Sequence, residues 1–289
     1  MSPYSAYLSP VLELLQLALT TKVPGTSVPV IFVAHALRLS LAYQQQTRKT
    51  TSWLQGMFSV CALPMAGGLV STMLTGSLPP FLQSDVVIPT YMVTYLVIHN
   101  SGFIRGLLNT MPPQVLEFMT MPADAILKGN NICGVGVDRI TSHSSATVKH
   151  NWFAPILVGG SVGSAGFLSL TSLNLFSPVW TLNSRIDAVE WDLFGPYVLS
   201  FLYLACRGTN PQINNVVWSL SQGVIGGRKA SYFTKDEARA LIVLTQMGVS
   251  TLKSAGIWNG RFPGGFTGPV APSRLTESKK LGSASKKDL

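Results

Sequence analysis

Two uninterrupted apolar stretches constrain this chain more than any other feature. Trp53–Thr75 reads WLQGMFSVCALPMAGGLVSTMLT and Phe153–Phe176 reads FAPILVGGSVGSAGFLSLTSLNLF, and neither contains a charged residue. A helix of about 20 mostly apolar residues crosses the hydrocarbon core of a bilayer. The remaining sequence agrees: 11% of the 289 residues are charged and mean hydropathy is +0.33, whereas average soluble proteins carry roughly 25% charged residues. So little charge cannot cover a soluble surface of this size. The composition excludes a disordered chain, an ordinary cytosolic enzyme and a nucleic-acid binder. A formal net charge of +9 does not restore the last, because seven of the 21 Lys and Arg lie beyond residue 250. The expected fold class is an all-α membrane protein.

Further spans flank these two. Val28–Tyr43 is the first, Trp53–Thr75 the second, and Val86–Leu108 the third. A less hydrophobic fourth helix is expected over Gln114–Lys128 after Pro112-Pro113. Phe153–Phe176 is the fifth, Leu193–Cys206 a short sixth and Ala238–Ile257 the seventh. Thr234 and Glu237 before the seventh are spaced for a capping box. The N-terminal stretch has no basic leader and carries Glu13, so it reads as an interfacial helix rather than a cleaved signal. Cys61, Cys133 and Cys206 are too scattered for a disulfide framework or a metal pair. No catalytic signature is present, and Gly134–Asp138 lacks the strand and Lys-Ser/Thr that a phosphate loop requires.

The second and fifth spans share a pattern. Met65-Ala-Gly-Gly-Leu-Val-Ser71 overlays Gly163-Ser-Ala-Gly-Phe-Leu-Ser169 at an offset of 98 residues, placing Gly68 on Gly166 and Ser71 on Ser169. Helix breakers precede both, Pro64 in one and Gly159-Gly160 in the other. The spacing fits an inverted 3+3 repeat with a seventh helix added. The expected units are 1–27 (interfacial), 28–111 (first three helices), 112–207 (second three), 208–258 (loop and seventh helix) and 259–289 (disordered cytosolic tail). Small residues one turn apart let membrane helices pack closely. Gly-broken helices at matching places in two halves also mark permeation sites. On the second reading, Pro64, Gly67, Gly68, Ser71, Gly159, Gly160, Gly163, Gly166 and Ser169 line or kink a wet passage for alkali ions between the two helices. Freed carbonyls and hydroxyls are suitable ligands for such ions.

Charges inside the spans are the second signal. Glu117, Asp124 and Lys128 fall on one face of the fourth helix, and His35 and Arg38 lie one turn apart on the first. Ionisable groups in hydrocarbon are costly and normally face the bundle interior in pairs. One reading is a packing ion pair such as Arg38 with Asp124. The other turns Lys128 toward an anionic lipid headgroup or a pore vestibule. His35 reads as a hydrogen-bonded interior residue.

Together these residues resemble the trimeric intracellular cation channels of the endoplasmic and sarcoplasmic reticulum. The resemblance rests on Ala34-His35, the Ala66–Gly76 run with its Gly-Gly-Leu-Val-Ser core, Tyr95-Leu96-Val97, and Val158-Gly159, Gly163, Gly166, Leu168 and Val179-Trp180. It covers about residues 15–205 and, less clearly, the seventh helix. It implies a homotrimer with one pore per subunit, passing potassium to balance calcium flux. It implies no cofactor and no nucleic acid, with membrane lipids as partners. The family's basic phosphoinositide motif is missing: Met121–Gly129 offers only Lys128. That departure puts phosphoinositide binding in doubt and points to a divergent, fungal branch.

The resemblance places the N-terminus in the lumen and the C-terminus in the cytosol. Arg48, Lys49 and the basic tail agree with this, while Arg228, Lys229 and Lys235 argue the other way. Lys286 and Lys287, fourth and third from the end, fit a dilysine signal for retrieval to the endoplasmic reticulum; such signals are receptor-read addresses rather than anchors. The function expected is a potassium channel of that membrane. A secondary transporter with inverted repeats and a non-conducting scaffold are the alternatives.

Overall fold

The computed structural model describes residues 5–47, 51–182, 190–225 and 233–258. Every regular element among them is helical. In chain order these are α1 (Ser5–Thr20), α2 (Val30–Thr47), α3 (Trp53–Thr75), α4 (Val87–Asn100), α5 (Gly102–Thr110) and α6 (Pro113–Asn130). After them come α7 (Arg139–Thr141), α8 (Ala146–Lys149), α9 (Phe153–Ser172), α10 (Trp191–Arg207), α11 (Pro211–Ile225) and α12 (Lys235–Ser254). A π-helical segment, Asn131–Asp138, joins α6 to α7, so 113–141 forms one long rod.

Local chemistry sets the helix ends. The Ser52 hydroxyl accepts from Gln55 N to open α3, and Gly76, at φ 64, closes it by donating to Thr72 O. A residue without Cβ takes that left-handed conformation at no steric cost. At α12 the expected capping box forms: Glu237 N donates to Thr234 Oγ1 at 3.3 Å, and Thr234 N donates to Glu237 Oε2 at 2.8 Å.

Several expected boundaries need correction. The third span is two helices, because Ser101 is extended (φ −78, ψ 101) and its hydroxyl accepts from Ile104 N, starting α5 anew. The fourth continues past Lys128 through the π-helical segment. The fifth stops at Ser172, ahead of Asn174 at φ 50. Helix α11 was not expected; Asn210 Oδ1 opens it by accepting from Gln212 N and Ile213 N. Among the described residues α3 and α9 are the two helices long and apolar enough to cross a membrane by length and composition. Both run without interruption. The irregular backbone expected at Pro64 and Gly159-Gly160 lies instead at Asn131–Asp138. Arg48, Lys49, Arg228, Lys229 and the tail with Lys286 and Lys287 lie outside the described residues.

The packing centre is α9, held against α3, α10 and the π-helical segment. Glycines allow these approaches. A Cβ on Gly67 would lie 2.6 Å from Val162 O, and one on Gly163 would lie 2.6 Å from both Ile132 and Pro196 side chains. Gly136 meets the backbone of Gly159, Gly159 meets Ser200, and the Tyr197 ring covers Gly160. Outward-facing side chains are strongly apolar, as at Phe58, Met73 and Phe103. Such patches are rare on soluble monomers and ordinary against lipid.

Candidate functional site

Three acidic side chains organise the bundle's polar interior, and two of them stand on the 113–141 rod. Asp138, at the end of the π-helical segment, is 8% exposed. Arg207 Nη1 on α10 reaches its Oδ1 at 2.7 Å, while Arg239 Nη2 and Lys235 Nζ on α12 reach Oδ2 at 3.0 and 3.1 Å. The Tyr203 hydroxyl donates to both oxygens, at 3.0 and 3.2 Å. An isolated carboxylate in this position would be prohibitively desolvated; four donors from two helices make it tolerable.

Asp192, in the first turn of α10, bridges two lysines: Lys128 Nζ at 2.7 Å and Lys253 Nζ at 2.6 Å. Because α10 and α12 run antiparallel, Asp192 clamps one end of the pair and Asp138 the other. Asp124 on α6 is held less closely. His35 Nε2 stands 3.2 Å from its Oδ1 and Arg38 Nη2 3.9 Å from Oδ2, while His35 Nδ1 pairs with the Tyr91 hydroxyl at 2.6 Å.

A fourth group ties α3 to this column. Ser71 Oγ donates to Val135 O at 2.8 Å and accepts from Arg139 Nη1 at 3.3 Å. It thereby satisfies a carbonyl within the π-helical segment. Buried irregular backbone needs such partners.

The sequence-predicted residues are thus distributed over separate places. Asp124, His35 and Arg38 meet as one cluster, including the pair read between Arg38 and Asp124. Lys128, read as facing lipid or a vestibule, is engaged by Asp192. Glu117 is exposed and joins no ion pair among the described residues. Ser71 and Ser169, superposed by the offset, do not share a site: Ser169 lines a nearly wholly apolar groove of about 810 Å³ with Met65, Phe81 and Trp180. Gly67, Gly159, Gly160 and Gly163 are filled by neighbouring atoms. Gly68 and Gly166 have more room, with nearest neighbours 3.2 and 3.3 Å from a built Cβ, and Pro64 is half-buried. Helices α3 and α9 are in close contact at Gly67, where a Cβ would meet the Val162 carbonyl oxygen, and the ion pairs collect along 113–141.

Asp138, Arg139, Asp192, Tyr203, Arg207, Arg239 and Lys253 were not singled out from sequence, and Lys235 was weighed only for orientation. A signal did exist: Asp138 lies 14 residues beyond Asp124, close to four helical turns. Ending the fourth helix at Lys128 hid it. Among the described ion pairs, three carboxylates face six Lys and Arg side chains. The column as built therefore repels a bare cation.

Comparison with protein-family models and with curated proteins finds no match. Among solved structures, the chain is similar to a trimeric intracellular cation channel from C. elegans, determined in the absence of Ca2+. The TM-score is 0.57 at 12% identity, covering 86% of this chain and 97% of that one. The chain has that fold.

Proposed function

We propose that this chain is a cation channel of the endoplasmic reticulum membrane, carrying potassium as counter-ion when calcium enters or leaves the store. Seven helices cross the bilayer as an inverted 3+3 repeat (28–111 and 112–207) followed by a seventh within 208–258, and three copies assemble. The observation that supports this reading is the fold, shared with a trimeric intracellular cation channel over 86% of this chain. A single charge moved against 100 mV costs about 2.3 kcal/mol, so calcium flux needs such a partner current.

On this reading the ion path is shut at rest. Each carboxylate is occupied by protein cations, and potassium can pass only where one of them is released. Asp124 is the candidate, because its Arg38 contact is the longest of the ion pairs. Retrieval through Lys286 and Lys287 supplies the address, and the missing basic motif argues for gating without phosphoinositide.

Planar-bilayer recording of purified protein in symmetric potassium chloride tests the reading: unitary currents are expected. Correctly folded trimer that stays silent over the full voltage range overturns it. The close approach at Gly67 favours one other reading, a non-conducting scaffold; substitutions in the glycine helices would then alter assembly in a protein that never conducts.

A further inference from the structure

A cavity of about 420 Å³ lies beneath α1, between that helix, α6 and α12. One wall is apolar, built by Leu12, Leu15 and Leu19 of α1 with Ile126 and Val243. Polar groups of opposite sign stand together in the other: Asp236 and Arg239, one turn apart on α12. Arg239 spends Nη2 on Asp138, yet its Nε is buried without a partner. The Asp138 cluster has three cations for one carboxylate, so Arg239 retains positive charge to share. Asp236 is exposed and forms no ion pair among the described residues. On the far side of α1, Leu14 and Leu17 are 65% and 61% exposed. In the membrane proposed above, an outer face of that kind sits against acyl chains, which brings lipid to the helix that roofs the cavity.

We propose that this cavity binds one zwitterionic phospholipid, its phosphate on Arg239, its ammonium group on Asp236, and the start of an acyl chain along the leucines of α1. An anionic lipid satisfies Arg239 but leaves Asp236 facing like charge, so the pair selects the zwitterion by repulsion as much as by attraction. The inference rests on the chain lying in a membrane, as proposed above, but not on conduction.

The test is native mass spectrometry of the detergent-purified protein, equilibrated in turn with dioleoyl phosphatidylethanolamine and dioleoyl phosphatidylglycerol. One tightly retained phosphatidylethanolamine per subunit is expected, favoured about tenfold over phosphatidylglycerol, the scale of one hydrogen-bonded charge. Asp236→Asn, at an exposed position that should not disturb folding, is expected to erase that preference while retaining both lipids. Leu15→Trp, which fills the cavity, is expected to abolish retention, with unchanged elution on size exclusion as the folding control. Equal retention of both lipids by the unaltered protein, or retention unaffected by Leu15→Trp in folded protein, overturns the proposal. A protein that retains the zwitterion but shows no current would sink the channel reading alone.

Discussion

Arg207 Nη1 lies 2.7 Å from Asp138 Oδ1, joining the C-terminal turn of α10 to the π-helical segment at a point where Lys235 and Arg239 of α12 also converge. Three helical elements are held by one carboxylate. Asp138→Asn removes the charge while preserving shape, leaving three cations unbalanced and partly desolvated. Removing one partner of a buried ion pair costs roughly 3–5 kcal/mol. Since Lys235 is half exposed, a loss near the lower end, about 3 kcal/mol, is expected. Thermal unfolding in detergent measures it, and a loss below about 1 kcal/mol would show that the cluster does not hold the helices together. Tyr203→Phe, deleting the hydroxyl shared between the two carboxylate oxygens, should cost less, about 1.5–2 kcal/mol, the lower part of the range for a hydrogen bond to a charged group.

Glycines on α3 and α9 are predicted to differ sharply in tolerance. A Cβ at Gly67 would stand 2.6 Å from the Val162 carbonyl oxygen, a backbone atom that cannot swing aside, whereas Gly166 and Gly68 leave 3.3 and 3.2 Å. Gly67→Ala should therefore destabilise the protein by about 1–3 kcal/mol, the range for overpacking. Gly166→Ala and Gly68→Ala should cost less than half as much. Denaturation of the three variants side by side gives the order; equal losses would mean that α3 and α9 can separate freely.

The two apolar helices were legible because length and lack of charge are properties of the sequence itself. Trp53–Thr75 was placed at both ends, and the Thr234–Glu237 capping box followed from spacing. The charge network was only partly legible. Asp124 and its α2 partners declare themselves as ions within apolar runs. Asp138 instead lies beyond the expected end of the fourth helix at Lys128, in a segment whose Gly136 packs against the Gly159 backbone. Close approach of two glycine backbones is a tertiary fact, and it keeps this segment helical despite its low intrinsic propensity. Pro64 lies inside α3, whose helical hydrogen bonding resumes on both sides of it. Ser71, read from sequence as lining or kinking a passage, bonds Val135 O, a partner that the offset pairing it with Ser169 does not reveal.

Lys128, Asp192 and Lys253 form a second clamp at the far end of α10 and α12, and its energetics should be non-additive. In Asp192→Asn both ammonium groups lose their counter-charge. Once Lys253 is also replaced by Met, one of those penalties disappears. A double-mutant cycle on Asp192 and Lys253 is expected to give a coupling energy of about 1–2 kcal/mol, within the range for residues of one ion-pair network. Additive losses would indicate that solvent screens Lys253 despite its 2.6 Å contact.

Asp124 is expected to differ from both other carboxylates in what its loss affects. Its contact with Arg38 is 3.9 Å, and its closer partner is His35 at 3.2 Å, whose other nitrogen is held by Tyr91 at 2.6 Å. On the channel reading proposed above, this carboxylate, with no fixed Lys or Arg closer than 3.9 Å, is the one that a potassium ion approaches most readily. At an effective dielectric of about 20, a unit charge 4 Å away contributes about 4 kcal/mol, far more than a hydroxyl dipole offers. Asp124→Asn should therefore lower unitary potassium current about tenfold with a small effect on unfolding, whereas Asp192→Asn should do the reverse. Recording both variants in planar bilayers, with melting curves from the same preparations, separates conduction from support. Wild-type current through folded Asp124→Asn protein would remove Asp124 from the ion path and leave it a packing residue.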